Sequence, residues 1–162
     1  MILNFFSYFN IRGKSMLRDT MVMLFFLAAG YVLASSFGLD VHVAASSSLS
    51  PLKIFANNIA VAILSVLGTC FLAYFIFFVN SLFLGMNIYF SLNVYSFSEM
   101  MRLLSFHAPV EVFCWLLTLQ ISVQFTKFLF VQKDIFPRRK TVLLTSICFF
   151  LAAVIESLIS RG

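Results

Sequence analysis

Apolar residues run through the chain in stretches long enough to cross a lipid bilayer, and polar residues interrupt them at few places. A helix needs about 20 apolar residues to cross the hydrocarbon layer. Residues 20–39, 107–131 and 141–160 each meet that length. The run from Ile54 to Ser96 is about twice as long as one crossing needs, so it predicts two crossings with almost no loop between them.

Polar residues in the segment VNSLFLG predict the break inside this long run, with Asn80 and Gly85 assigned to a helix turn or a packing contact. The two pieces are then residues 54–79 and 81–96. The second piece is short and polar, which predicts a tilted or partly re-entrant helix packed inside the bundle. Residues 98–106 are predicted to form a short amphipathic connection to the next crossing.

Aromatic residues followed by basic ones, over residues 1–19, predict an interfacial segment that lies at the headgroup level. A cleaved signal peptide, with its cleavage site at Val32–Ala34, is the alternative for the first apolar run. The fold class is therefore all-α. We expect one integral membrane domain over residues 1–162, a polytopic bundle of about five transmembrane helices behind an N-terminal interfacial helix.

Composition supports a membrane location. The chain is 62% hydrophobic and 10% charged, whereas a soluble domain carries about 25% charged residues. Its net charge of +5 lies mostly in clusters beside the apolar runs, so it indicates membrane orientation and no nucleic-acid partner. The three cysteines all lie within apolar stretches, which favours neither a disulfide framework nor a zinc site.

Basic residues also predict the topology, because basic clusters beside membrane helices favour the cytoplasmic side. If both clusters face the cytoplasm, an even number of crossings separates them, which supports splitting the long run in two. We therefore expect a multi-pass protein of the bacterial plasma membrane, with its N-terminus inside and its C-terminus outside. The two clusters consist of Arg12, Lys14, Arg18, Lys133, Arg138, Arg139 and Lys140.

Small and polar residues recur every three or four positions along the second, fourth and fifth predicted helices, which indicates faces buried in the bundle. The predicted topology brings five more strongly polar residues to similar depth near the outer boundary: Asn57, Asn58, His107, Glu111 and Glu156. A carboxylate at such a depth is costly. Three interpretations stay open: a hydrogen-bond cluster that locks the bundle, a site for a substrate, lipid or partner, and a metal or catalytic site.

Motifs for catalysis are lacking in the sequence. It has no HExxH zinc motif, no phosphate-binding GxxxxGK[ST] loop, and no nucleophile with an evident general base. We therefore expect no catalytic residues, no bound metal and no cofactor. If the protein takes part in ATP-driven work, the ATPase is a separate chain.

Four short sequence elements follow one another along the chain: FANN at 55–58, VNSLFLG at 79–85, HAPVE at 107–111 and AAVIES at 152–157. Together, in this order and spacing, they resemble the stage II sporulation protein M family of bacterial integral membrane proteins. Two positions depart from its pattern, since the family usually has Asn-Gly where this chain has Asn80-Ser81, and glycine where it has Ala108.

The resemblance implies a membrane component that is not an enzyme. Short members of the family look like those encoded with circular bacteriocins, where they accompany an ABC-type ATPase and serve peptide maturation, export or immunity. That resemblance implies membrane or ABC ATPase subunits as partners, and a peptide as a possible substrate. The alternative is a sporulation or cell-envelope scaffold that recruits peptidoglycan-remodelling enzymes. An intramembrane enzyme or ion carrier that uses His107, Glu111 and Glu156 is the third hypothesis.

Overall fold

The computed structural model describes residues 13–37, 50–131 and 136–159, apart from the side chains of residues 102–107 and 159. Five helices make up nearly all of this part of the chain. Four of them are long and apolar enough to cross a membrane, and the second, with 17 residues, is at the lower limit of a crossing. The predicted polytopic helical bundle is confirmed. The helices are α1 (Gly13–Phe37), α2 (Pro51–Leu67), α3 (Thr69–Val94), α4 (Phe97–Phe130) and α5 (Arg139–Ile159).

Contacts between α1 and α3 establish the course of the chain. Near the start of both helices, Arg18 Nη2 donates a hydrogen bond of 2.9 Å to the hydroxyl of Tyr74. Near their other ends, the rings of Tyr31 and Tyr89 pack at 5.5 Å. The two helices are therefore parallel, and α2, which lies between them in the chain, runs in the opposite direction. Helices α4 and α5 continue this alternation, so all five pass between the same two ends of the bundle.

Helix α4 lies at the centre of the bundle and packs against all four other helices. Every residue from Cys114 to Gln120 is buried. In the apolar 18-residue stretch of each helix, 56% of α4 is buried inside the bundle, whereas 17% of α1 is buried. Large apolar side chains on the outer helices, such as Phe71 at 84% exposure, face outwards. This distribution suits a bundle whose surrounding solvent is hydrocarbon.

Two glycines allow the backbones of α1 and α3 to touch. A Cβ atom at Gly30 would clash with the carbonyl oxygen of Leu82, and one at Gly85 with the carbonyl oxygen of Leu27. Backbone atoms cannot move aside as a flexible side chain can, so both positions require glycine. Small residues at a helix interface increase van der Waals contact, which is a main source of association between helices in a bilayer.

The predicted break at Asn80–Gly85 is wrong. That segment lies inside α3, and the chain reverses at Gly68, where α2 ends and α3 begins. Thr69 follows with a φ of 66°. The first turn of α3 has no side-chain cap from its N-cap residue, and instead the N–H of Cys70 donates to Thr126 Oγ1 at 2.8 Å. Since this cap comes from another helix, no local cap motif marked the turn.

The predicted connection at residues 98–106 is also wrong, because these residues form the first turns of α4. Ser96 and Glu99 form a capping box that starts the helix. Pro109 lies inside α4 without ending it, as transmembrane helices tolerate. The short helix of the bundle is therefore α2, and residues 81–96 contribute the second half of a full-length α3, apart from the connection at its end.

For the first and last helices of the chain, the predicted spans 20–39 and 141–160 agree closely with α1 and α5. The difference lies before residue 20, because α1 begins at Gly13. Residues 13–19 therefore continue the helix of the first crossing and do not form a separate helix before it. Residues 1–12, on which the rest of the predicted interfacial helix falls, lie outside the described residues.

Candidate functional site

Basic side chains of three helices gather at one end of the bundle, which we call the basic end; the opposite end is the distal end. Helices α1, α3 and α5 begin at the basic end, and α2 and α4 finish there. Both basic clusters therefore lie at the same end, as an even number of crossings between them requires. Arg12 and Lys133 lie outside the described residues. The basic end carries Lys14, Arg18, Lys127, Arg138, Arg139 and Lys140.

A buried carboxylate near the basic end organises the first polar site, the Asp19 network. Asp19 is 2% exposed and forms an ion pair of 2.9 Å with the neighbouring Arg18. Tyr74 of α3 donates its hydroxyl proton to Asp19 Oδ1 at 3.3 Å. Gln120 of α4 donates to Ser15 Oγ at 2.8 Å and to Asp19 Oδ2 at 3.4 Å. One carboxylate thus joins three helices.

The Asp19 network was missed at the level of the sequence, where Asp19 was assigned to the interfacial segment. A signal was present, because Ser15, Asp19 and Met23 are spaced by four and so share one helix face. That face continues through Gly30 and Ala34, which are buried as well. The partners Tyr74 and Gln120, in contrast, come from distant parts of the chain, and no local pattern connects them to Asp19.

A pocket of about 190 Å³ between α3 and α4 forms the second polar site, the Glu111 pocket. The carboxylate of Glu111 is half-buried and its Oε1 accepts a hydrogen bond of 3.5 Å from Trp115 Nε1. Asn80 and Asn87 line the same pocket from α3. The full lining consists of Met23, Phe77, Asn80, Ser81, Phe83, Leu84, Asn87, Glu111, Val112 and Trp115.

Two of the sequence elements that carry the family resemblance meet in this pocket. VNSLFLG supplies Asn80 and Ser81 from α3, and HAPVE supplies Glu111 from α4. Asn80 therefore serves the pocket and not a helix turn, whereas the packing role predicted for Gly85 agrees with its contact to α1. The pocket became visible only once α3 was known to be continuous through this segment.

The other members of the predicted polar cluster lie in the distal half of the bundle but at different levels. Phe55 of α2 packs on Phe150 of α5 at 5.6 Å between ring centroids. From this contact, Asn58 lies toward the basic end and Glu156 toward the distal end, so they are more than two helical turns apart along the axis.

Their environments differ too. Asn57 is exposed, and Asn58 and Glu156 are half-buried. The side chain of His107 lies outside the described residues. Of the five predicted residues, Glu111 lines the pocket. Because Asn58 and Glu156 lie at different levels, the structure does not bring all five together, and a common role for them stays a prediction.

The faces of small and polar residues that the sequence indicated include these buried residues: Ala62, Ser65, Thr118, Ser122, Thr145 and Ala152. On α2 and α4, Ser65 and Ser122 meet, since Ser122 Oγ donates to the carbonyl oxygen of Ser65 at 3.3 Å. Cys114 is buried in the apolar core, and Cys148 is partly buried against it. Among the side chains that the structure describes, which exclude His107, no three His, Cys, Asp or Glu residues come together in a group that could hold a metal ion.

Comparison with known proteins identifies one family. The model of the family described as Stage II sporulation protein M matches residues 19–161, which covers all five helices apart from the first turns of α1. No curated protein and no solved structure matches the chain.

Proposed function

The chain belongs to the stage II sporulation protein M family, and we propose that it is a membrane subunit, without catalysis of its own, of a complex for maturation of, export of or immunity to a bacteriocin-type peptide. A separate ABC-type ATPase supplies the energy in this proposal. The peptide meets the bundle within the bilayer, and the ATPase meets it at the basic end.

The shortness of the two connections that the structure describes completely, from α2 to α3 and from α3 to α4, carries the proposal. Gly68 alone separates α2 from α3, and Tyr95 and Ser96 alone separate α3 from α4. Nearly all described residues therefore lie in helices that contact lipid or one another. A protein with so little described surface in water has its chemistry inside the membrane, and it depends on partner chains for any chemistry that occurs in the cytoplasm.

The basic end supplies the surface for the ATPase. Arg138, Arg139 and Lys140 lie at the start of α5, and Lys14 and Arg18 at the start of α1. Positive charge beside membrane helices is retained on the cytoplasmic side. In this orientation the basic end faces the compartment that holds ATP, and its charge attracts an acidic patch on a soluble partner.

The alternative function, a scaffold for cell-wall enzymes, needs a recognition surface on the outer side of the membrane. At the distal end, the connection between α3 and α4 is only the two residues Tyr95 and Ser96, which offers little recognition surface; residues 38–49, between α1 and α2, lie outside the described residues. We therefore favour the peptide complex. The genes beside this one separate the two functions: an ATPase and a small precursor peptide support the first, and sporulation genes the second.

Co-expression tests the proposal. The chain and the ATPase encoded beside it are produced in a strain that is sensitive to the mature peptide made from the neighbouring precursor gene. The tolerance of the cells to this peptide and its secretion are measured. We expect a gain in either property only when both chains are present. If both chains accumulate and neither property changes, the proposal is wrong.

A charge variant then tests the docking surface. Arg138, Arg139 and Lys140 are replaced together by glutamine, and copurification of the ATPase in detergent is measured. Lys53→Gln is the control, because Lys53 is an exposed basic residue at the distal end. We expect the triple variant to lose the ATPase and the control to retain it. If both variants retain the ATPase equally, the ATPase does not dock at the basic end.

A further inference from the structure

We propose that a groove between α2 and α5, floored by α4, binds one acyl chain of a phospholipid whose anionic headgroup lies at the basic end. This α2–α5 groove has a volume of about 300 Å³ and lies between residues 59–67 of α2, 118–125 of α4 and 136–146 at the start of α5. The inference goes beyond the proposed function, because it needs neither a peptide nor an ATPase.

The lining of the α2–α5 groove matches a hydrocarbon occupant. Among the described lining residues, the polar side chains are the three hydroxyls of Thr118, Thr145 and Ser146. Each of them donates to the carbonyl oxygen four residues earlier in its own helix, at 2.9, 2.8 and 3.0 Å respectively. A polypeptide backbone placed here would leave its own N–H and C=O groups poorly paired, whereas an alkyl chain has no such groups.

The groove opens sideways into the bilayer. Its floor consists of the buried residues Ala62, Ile121 and Thr145, one from each of the three helices. Its rim contains Ile63 of α2, which is 54% exposed, and Val142 of α5, which is 43% exposed. A lipid that surrounds the bundle can therefore enter the groove without crossing any part of the protein.

The size of the groove fits one alkyl chain. On α2 it extends from Ile59 to Leu67, which is about 12 Å along the helix axis. A methylene group is about as large as a water molecule, which occupies about 30 Å³ in the liquid, so the groove holds roughly ten methylene groups. An α-helix about 10–12 Å across would need at least about three times this volume over the same length.

The groove is closed on its distal side and open toward the basic end. One turn beyond the lining residues Ile59 and Ser146, the rings of Phe55 and Phe150 pack together at 5.6 Å. Toward the basic end, the lining finishes with Phe136, whose ring packs on the ring of Phe128 of α4 at 5.2 Å. An acyl chain in the groove therefore has its headgroup at the basic end.

Positive charge surrounds this open end. Residues 127–140 contain five basic residues and one acidic residue, a net charge of +4 that does not depend on how individual side chains pair. Basic segments beside membrane helices attract anionic lipids. A neutral lipid would fill the groove equally well, but it would leave this charge without a complement.

Arg139 is the basic residue that the helix geometry places above the groove. It is the first residue of α5 and is exposed. Arg139, Val142 and Ser146 are spaced by three and four, so Arg139 continues the face of α5 that lines the groove. A guanidinium group can bind a phosphate through two parallel hydrogen bonds. We therefore assign the headgroup phosphate to Arg139.

Native mass spectrometry of the purified full chain tests the proposal. The chain in a non-ionic detergent receives increasing amounts of phosphatidylglycerol or of phosphatidylcholine with the same acyl chains, and the fraction of chains that carry one lipid is recorded. Phosphatidylglycerol is anionic and phosphatidylcholine is zwitterionic. We expect one phosphatidylglycerol to bind at least about fivefold more tightly than one phosphatidylcholine.

A first variant fills the groove. Ser146→Phe places a ring in it, and we expect binding of both lipids to weaken at least about tenfold. Ser36→Phe is the matched control, because Ser36 is an exposed serine of α1 that donates to the carbonyl oxygen four residues earlier, as Ser146 does, and does not line the groove. It should bind both lipids like the unmodified chain.

A second variant tests the headgroup. We expect Arg139→Gln to bind phosphatidylglycerol about fivefold more weakly and phosphatidylcholine without change. Lys53→Gln, at the distal end, should keep the preference for phosphatidylglycerol. Because Arg139 is exposed, this substitution keeps the test decisive if Ser146→Phe does not fold.

Four outcomes would overturn the proposal. Equal binding of the two lipids would show that the site does not select an anionic headgroup, and an unchanged preference in Arg139→Gln would show that the headgroup lies elsewhere. Unchanged lipid binding by a folded Ser146→Phe variant would place the acyl chain outside the groove. Dimers that Ser146→Phe dissociates would assign the groove to a second copy of the chain. Since neither an ATPase nor a peptide is present, none of these outcomes bears on the proposed function.

Discussion

Tyr74 of α3 donates its hydroxyl proton to Oδ1 of Asp19 on α1 at 3.3 Å, and this bond helps to close the parallel helix pair near the basic end. Removing the acceptor is expected to cost more than removing the donor. Asp19→Ala leaves Arg18, Tyr74 and Gln120 without their common acceptor, so we expect a loss of about 1–3 kcal/mol in the free energy of unfolding.

Tyr74→Phe removes two hydrogen bonds from the same network, the one donated to Asp19 and the one accepted from Arg18. Because Arg18 is exposed and can bond to water instead, we expect a cost of about 0.5–1.5 kcal/mol. Thermal unfolding of the purified variants in detergent measures both effects. Tyr31→Phe is the control, because the ring of Tyr31 keeps its contact with Tyr89 when the hydroxyl is lost. A Tyr74→Phe variant as stable as that control would show that the network contributes nothing to stability.

Gly85→Ala is expected to separate α1 from α3. The added Cβ would meet the carbonyl oxygen of Leu27, so the helices must move apart and lose contact along their length. We expect destabilisation of about 1–3 kcal/mol, read from the midpoint of thermal unfolding. Gly13→Ala is the matched control, since a Cβ at Gly13 has no other atom within 4 Å. Equal stability of the two variants would contradict the close approach of the backbones.

Thr69→Gly is expected to stabilise the turn between α2 and α3. Thr69 has a φ of 66°, a conformation that costs a non-glycine residue about 1–2 kcal/mol. Glycine removes that cost but gains freedom in the unfolded chain, so the net gain should be below about 1 kcal/mol. Thr20→Gly, within α1, should instead destabilise by about 1 kcal/mol. A lower unfolding temperature for Thr69→Gly than for the unmodified chain would contradict the turn.

Cysteine labelling tests the orientation. In a chain whose native Cys70, Cys114 and Cys148 are replaced, a single cysteine at Lys140 should react only with reagents that enter the cell. A single cysteine at Ser47 should react with reagents that do not cross the membrane. The reason is that the basic end is retained on the cytoplasmic side and that three crossings, α2 to α4, separate the two positions. Labelling of Ser47 from the cytoplasm alone would reverse the orientation.

Hydrophobic patterning alone predicted that this protein lies in a lipid bilayer and predicted the approximate number of crossings. Hydrophobic length is a local property, so the spans that became α1 and α5 were predicted within a few residues of their distal ends. The placement of both basic clusters at one end also followed, because charge and an even number of crossings were enough to predict it. The position of Glu111 in a polar setting was recognised on the same basis of helical spacing.

Only the tertiary structure decided where the long run reverses and which side chains meet. The reversal at Gly68 depends on Thr126, a residue of another helix that caps the N–H of Cys70. The buried carboxylate of Asp19 likewise depends on hydrogen bonds from Tyr74 and Gln120, which belong to other helices. Polar residues inside a membrane satisfy their hydrogen bonds with whatever packs against them, and residues that are far apart in sequence become such neighbours only when the helices associate.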